Sequence, residues 1–279
     1  MMAEAAPRRK LHPMLRLVIL AACAYAGLVA LVFVFQRRLQ YFPFGGVPRI
    51  PAGEAYRGIE EVEVVSRDGL KLRGWYWPGT IPVAVYVLHG NAGHRGHRIG
   101  WLEELHSRGA TVFILDYRGF GGSEGSPTEE GLYLDAEAGA RWLAARGAGK
   151  VVYFGESLGS AVAIELALRV PPAGIVLQAG FPSATEVARR AYPFLPVRLL
   201  LRDRFEADGR IRRVTCPLLF IHGDRDSIVP VDLGRALHDA AVGPKEWFEV
   251  PGADHNDIAQ VGGAAYFDRI LELVRRVGA

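Results

Sequence analysis

The most apolar stretch of the chain is an unbroken run from Leu17 to Phe35, which holds Tyr25 and Gly27 but no charge. As a helix at about 1.5 Å per residue it is about 28 Å long, close to the hydrocarbon thickness of a bilayer. Core helices are usually shorter and apolar on one side only, so the run predicts a membrane span. Beyond it, Pro43, Gly45, Gly46, Pro48, Pro51 and Gly53 punctuate a linker over 36–54. Ile59–Val65 alternates, Arg67-Asp68-Gly69 turns, and Leu70–Trp77 returns, the pattern of a hairpin. Val83–Leu88 is continuously apolar, as a strand buried on both faces must be.

The rest of the chain alternates between the two periods. Residues near 97–108 place Ile99, Leu102 and Leu105 on one helical side, and Thr111–Leu115 is a second buried strand. Ser126-Pro127-Thr128-Glu129 has the form of a capping box with Pro at the first helical position, opening a helix that repeats Leu132, Ala136, Ala140 and Leu143. A short strand at 151–154 runs into a turn and a further helix. Strands at Ile175–Leu177, Leu218–Ile221 and Glu246–Val250 follow, with helices near 231–241 and 258–277. The Pro- and Arg-rich stretch 181–213 reads as irregular. Strands alternating with helices predict an α/β fold, a parallel sheet covered on both faces, in one catalytic domain over 55–279.

Charge changes the picture at the N-terminus only. The net charge is +3, but residues 1–38 hold Arg8, Arg9, Lys10, Arg16, Arg37 and Arg38 against Glu4 alone, a balance of +5 that leaves −2 for the remainder. A folded part with no basic excess excludes nucleic acid as the expected partner. Residues 1–16 form a basic segment before a signal anchor at 17–35. Four Lys/Arg before the span against two after it favour a cytoplasmic N-terminus and an extracytoplasmic domain, with Arg37-Arg38 opposing. Ala24-Tyr25-Ala26 resembles a signal-peptide cleavage site and Leu20-Ala21-Ala22-Cys23 a lipoprotein box. The long apolar continuation favours a retained anchor over both. Cys23 and Cys216 make no disulfide framework.

The candidate chemistry centres on Gly155-Glu156-Ser157-Leu158-Gly159, a G-x-S-x-G match between a strand and a helix. A strand reversing straight into a helix leaves no room for side chains at the flanking positions, hence glycine. The serine stands exposed at the tip, and the helix start behind it offers unpaired N–H groups to a developing oxyanion. A hydroxyl needs a base, and the base needs an acid to hold its tautomer. In sheets of this kind both follow the serine. His238 lies in a predicted helix and His222 ends a strand, whereas His255 lies in a loop after the last strand and is the candidate base. Asp224 and Asp226 both follow the penultimate strand. Asp226 is farther into the loop and is the candidate acid, Asp224 being suited to holding the turn through its own backbone. Gln178, after the strand at 175–177, leaves a second possible acid site without a carboxylate.

Backbone N–H groups of Leu158 and Asn91 are the candidate oxyanion donors, the latter from His89-Gly90-Asn91-Ala92-Gly93 after the strand at 83–88. His89-Gly90 also suits a tight strand-end turn. A metal site from His89, His94 and His97 is the competing reading, weakened because no carboxylate or Cys lies at matching spacing. Glu156 reads as a structural partner beside the elbow.

These residues together resemble the α/β-hydrolase-fold serine hydrolases, in particular the Bem46/ABHD13-like membrane-anchored group. The resemblance covers nearly everything from residue 36. It rests on Gln40-Tyr41-Phe42-Pro43, His89-Gly90-Asn91-Ala92, Asp116-Tyr117-Arg118-Gly119-Phe120-Gly121, the Gly155–Gly159 elbow, Tyr192-Pro193-Phe194-Leu195-Pro196, His222–Pro230 and Asp254-His255. It implies a mostly parallel eight-stranded sheet with helices on both faces and a Ser157–Asp226–His255 triad. It also implies hydrolysis of esters or thioesters without a metal or organic cofactor. Residues 181–213 stand where such folds insert a lid, here a short one. Phe194, Leu195, Leu199, Leu200 and Leu201 suit either the lining of an acyl pocket or packing on the core. A short lid beside an anchor suits acyl or lipid-like substrates. The competing readings are an amide hydrolase or peptidase using the same triad, and a catalytically silent, membrane-tethered binding protein.

Overall fold

A computed structural model describes residues 12–279, so the basic residues Arg8, Arg9 and Lys10 lie outside the described residues. Eight strands form one sheet: β1 (Glu60–Val65), β2 (Lys71–Trp77), β3 (Val83–Leu88), β4 (Thr111–Leu115), β5 (Lys150–Glu156), β6 (Gly174–Gln178), β7 (Leu218–Gly223) and β8 (Lys245–Val250). Their order across the sheet is β1-β2-β4-β3-β5-β6-β7-β8. Only β2 runs against its neighbours β1 and β4, and every pair from β4 to β8 is parallel. All six residues of β3 and of β7 are buried, which explains their unbroken apolar character.

Helices cover both faces. On one side α3 (Glu129–Ala145), α4 (Leu158–Arg169) and α8 (Val231–Ala240) pack Leu132, Ile164 and Leu237 against Tyr86, Phe113 and Phe220. On the other, α2 (Ile99–Ser107) and α9 (Ile258–Gly278) bring Leu105, Ile270 and Val274 onto Val85, Ile114 and Phe154. Burying each such side chain stabilises the fold by about 1.5–3 kcal/mol.

Two local readings of the sequence are corrected. The cap of α3 is Thr128, whose side chain accepts the Gly131 N–H at 3.1 Å, and not Ser126. Pro127 packs instead under the left-handed Gly119. The Glu129 carboxylate turns outward to accept the N–H groups of Arg204 and Phe205. The stretch 181–213 is not irregular throughout: it holds α5 (Ala184–Ala191), α6 (Val197–Leu200) and α7 (Asp208–Ile211). Four-residue helices are one turn long, too short to print a 3.6-residue repeat.

At the N-terminus, α1 (Pro13–Gln40) is a 28-residue helix, long and apolar enough to cross a membrane by length and composition. It continues past the apolar run, so the stretch read as linker begins as its last turn. One face, marked by Tyr25, Phe33, Gln36 and Gln40, lies along residues 194–203. Tyr25 donates to the Phe194 carbonyl at 2.8 Å, Gln36 bonds both Leu200 O and Arg202 N, Arg37 pairs with Asp203 at 2.8 Å, and Gln40 donates to Asp203 O.

The start of α4 lies very close to the ends of β5 and β3. A Cβ on Gly155 would lie 2.5 Å from the Gly159 carbonyl oxygen, and one on Gly159 would run into the Leu88 carbonyl. These atoms are backbone and cannot swing aside. Gly159→Ala is therefore expected to destabilise the protein by about 3 kcal/mol, the upper part of the range for overpacking. Gly149→Ala, where a Cβ meets open space, should stay within about 0.5 kcal/mol. Urea unfolding of both variants followed by tryptophan fluorescence checks this, and equal midpoints would contradict it.

Candidate active site

The position of Ser157 is strained by the fold itself. Ser157, between β5 and α4, has φ 51° and ψ −115°, in the region that favours glycine. Such a conformation costs about 1–3 kcal/mol and persists only where its surroundings over-determine it. They do so here: Ser157 N–H donates to Gln178 O at 2.8 Å, and its carbonyl accepts both the N–H and the hydroxyl of Ser160. The Gln178 side chain in turn accepts the hydroxyl of Tyr266, itself bonded by Trp101 Nε1.

The structure brings Ser157, His255 and Asp226 into one chain. Ser157 Oγ lies 2.9 Å from His255 Nε2, and His255 Nδ1 lies 2.7 Å from Asp226 Oδ2. A carboxylate only accepts, so Nδ1 carries the proton and Nε2 is free to accept the serine's. Asp226 Oδ1 accepts the N–H groups of Ile228 and Val229. Burial alone would raise its pKa, but hydrogen bonds from His222 and His255 and from the Val229 N–H outweigh it and hold the carboxyl well below the usual range.

His222 was left at a strand end by the sequence reading, and it is a supporting residue of the site. Buried, with Nε2 2.8 Å from Val229 O and 3.3 Å from Asp226 Oδ2, it fixes the acid from behind. Gly234 leaves its ring the necessary room. Asp254 was also missed as a brace. Its carboxylate accepts the N–H and hydroxyl of Ser227 and the N–H of His255, tying the acid loop to the base loop, and those bonds keep its pKa low. Asp224 holds the same two loops together through Gly252 N–H at 2.6 Å, across the loops and not through its own turn. Ser227 and Asp254 lie 27 residues apart and Asp224 and Gly252 28, so local pattern carried no sign of these two clamps.

The loop after β3 adjoins the serine: a Cβ on Gly90 would sit 3.6 Å from Ser157 Cβ. It is held from three sides. Burial pushes the His89 imidazole down to about 4, so it is neutral at physiological pH, and its Nδ1–H donates to Gly90 O at 2.8 Å. In a trans peptide the carbonyl and the following N–H point in opposite directions, so fixing Gly90 O also aims the Asn91 N–H. From outside, Asn91 Nδ2 donates to Gln40 O, Phe42 N–H to Asn91 O, and Gly93 N–H to Phe42 O. Arg98 completes the frame, bonding Ala92 O and forming a two-point ion pair with Glu156 at 2.8 and 3.0 Å. Burial opposes ionisation of Glu156, but Arg98 outweighs it and keeps its pKa low. The first N–H of α4, that of Leu158, has no carbonyl of its own helix to meet. Two backbone donors beside a serine–histidine–carboxylate chain are equipped to stabilise an oxyanion while the serine attacks.

His94 and His97 stack with ring centroids 4.0 Å apart and cap a short 3₁₀ turn at Arg95–Arg98. Among the described residues no group of three His, Cys, Asp or Glu is arranged to hold a metal ion. The Asp116–Gly121 motif is a loop brace: Asp116 accepts Arg95 N–H and guanidinium, and Arg118 is bonded to Asp135 and Asp68.

Comparisons with known proteins agree on the fold. The family model described as "alpha/beta hydrolase fold" matches residues 83–209. An uncharacterised Mycobacterium tuberculosis protein is 42% identical over 262 residues, covering 92% of this chain and 93% of its own. Human alpha/beta hydrolase domain-containing protein 17B is 34% identical, over 69% of this chain and 67% of that one. The zebrafish (Danio rerio) lysophosphatidylserine lipase ABHD12 is 36% identical over 61% of this chain, which spans about half of it (51%). Among solved structures, a Pyrococcus furiosus esterase superposes with TM-score 0.72 at 23% identity, over 85% of this chain and 100% of that one.

The low pKa of Asp226 has a consequence for stability. The folded protein keeps this group ionised to lower pH than an unfolded chain, whose carboxyl titrates near 3.8. Its contribution is thus complete above about pH 5 and is lost as the pH falls below about 4. The stability advantage of the wild type over Asp226→Asn should be constant between pH 5 and 7 and shrink toward pH 3 in urea unfolding. An advantage growing with acid would show that the carboxylate is not held ionised.

Proposed function

The chain belongs to the α/β-hydrolase fold family, and from that premise we propose that it is a membrane-anchored serine hydrolase cleaving carboxylic esters or thioesters of acyl or lipid-like substrates. The observation that carries this reading is the hydrogen-bonded chain Ser157 Oγ–His255 Nε2, His255 Nδ1–Asp226, with separations of 2.9 and 2.7 Å. Ser157 Oγ attacks the acyl carbon as its proton passes to His255 Nε2. Asp226 stabilises the imidazolium without taking the proton. The N–H groups of Leu158 and Asn91 receive the oxyanion, each worth about 3–4 kcal/mol in the transition state. Collapse expels the alcohol or thiol, which takes the proton from His255 and leaves the acyl group on Ser157. Water then attacks with His255 again as base, releasing the acid and restoring Ser157.

The substrate class is supported by a relative and by the N-terminal helix. Relatives include a lysophosphatidylserine lipase, and the apolar helix α1 is docked against the lid segment 194–203. Charge asymmetry about the span favours a catalytic domain on the extracytoplasmic side.

The test is hydrolysis of p-nitrophenyl esters from acetate to palmitate by the full chain in detergent micelles, beside Ser157→Ala. Loss of the nucleophile should lower kcat by on the order of a million-fold, and a fluorophosphonate probe should label the wild type only. Undiminished hydrolysis by Ser157→Ala would refute the mechanism. No preference for longer acyl groups would refute the lipid-like substrate, and Ser157-dependent turnover of amides alone would transfer the chemistry to an amide hydrolase.

A further inference from the structure

The lid carries apolar side chains that neither pack on the core nor line an enclosed pocket. Tyr192 is 52% exposed, Phe194 62% and Leu199 84%, all within the turn around α6. Arg198 lies among them, and Arg202 stands over the ring of Phe33 in α1 at 4.3 Å. This segment is not free in space. It is fastened along α1 from Tyr25, which bonds Phe194 O, to Gln40, which bonds Asp203 O. Fifteen residues of helix separate these two points, about 22 Å of axis.

The length of α1 then decides where the lid lies. From Pro13, where the helix begins, to Tyr25, where the lid first touches it, the helix rises only about 18 Å, against about 30 Å of hydrocarbon to be crossed. The sequence before Pro13 carries Arg8, Arg9 and Lys10 and cannot extend the apolar stretch. A helix that spans must therefore bring its lid-contacting half into the bilayer, and the attached lid comes with it. The Phe194 carbonyl bonded to Tyr25 then lies about 12 Å below the far boundary of the hydrocarbon. Irregular backbone is tolerated at that depth only where its polar groups are met within the protein, as Phe194 O is by Tyr25 and Leu195 N–H by Tyr192 O.

We propose that the lid segment Tyr192–Arg202 is an interfacial element seated in the membrane leaflet that receives α1, with Tyr192, Phe194 and Leu199 against acyl chains and Arg198 and Arg202 at the level of lipid phosphates. The occupant of this surface is a phospholipid leaflet. The proposal rests on the membrane-anchored reading above and adds to it that the domain reads the bilayer through its lid. A lipid-like substrate then passes to the serine without crossing water.

The experiment uses the full chain in phosphatidylcholine vesicles, on a Cys23→Ala, Cys216→Ala background, with an environment-sensitive fluorophore at single cysteines: Leu199→Cys in the lid, Leu20→Cys in the helix and Gly149→Cys on the far surface. Lipids spin-labelled near the headgroup should quench the Leu199 probe several-fold more than the Gly149 probe, and deeply labelled lipids should quench the Leu20 probe. A Leu199 probe as open to aqueous iodide as the Gly149 probe, with the Leu20 probe in lipid, would overturn the lid proposal and leave the anchor standing. A Leu20 probe in water would overturn both. Unchanged hydrolysis of a soluble acetate ester by Leu199→Cys would show that the site itself is intact in either case.

Discussion

The close approach of α4 to the ends of β5 and β3 is the constraint on which the site depends. Gly155 and Gly159 let the start of α4 press against its own strand and against the Leu88 and His89 carbonyls. That contact forces Ser157 into a left-handed conformation at the carboxyl edge of the sheet. It also sets the loop after β3 beside the serine. Ser157 and the loop after β3 are thereby fixed as one backbone object, before any side chain acts. A single methyl group at Gly159 would drive them apart.

Charge completes what the backbone begins. The ion pair of Arg98 with Glu156 reaches from the residue before the serine to the Ala92 carbonyl in the oxyanion loop. Asp254 clamps Ser227 to His255, and Asp224 clamps the same loops through Gly252. The ion pair contributes little net stability once desolvation is counted. The contribution of all three contacts is to geometry: they tie together segments that meet around Ser157 and His255. The donors and acceptors around Asp226 act the same way, keeping it ionised and so able to hold one tautomer of His255.

Much of this was legible in the sequence, and the limit is physical. The inner strands β3 and β7 were readable because burial on both faces leaves unbroken apolar runs, the β1–β2 hairpin because it alternates around a turn, and the candidate site residues because the glycines of the elbow and the chain order Ser, Asp, His are constraints of one topology. What holds those residues was not readable. Asp254 reaches Ser227 and Arg98 reaches Glu156 only after folding, since 27 and 58 residues separate them, and no spacing rule links either pair. The cap of α3 was misplaced because Ser126 and Thr128 both offer a hydroxyl before an acidic residue. Packing of Pro127 under Gly119 decides between them. Two of the three helices in 181–213, α6 and α7, were missed because a one-turn helix has no period.

The end of α1 belongs to both the tether and the site. Gln40 lends its carbonyl to Asn91 and its amide to the Asp203 carbonyl, while the next residues, Tyr41 and Phe42, pass into the core and into pairing with Ala92. Tyr41 is 3% exposed, so this strap cannot lift without exposing buried surface. A displacement of the helix end is therefore felt at once in the lid and in the peptide that aims the Asn91 N–H. A linker of glycines and prolines between anchor and domain would have decoupled them, and such residues begin only at Pro43, after the contacts are made. The order of the chain, helix then strap then flexible stretch, makes the position of α1 part of the geometry around the serine.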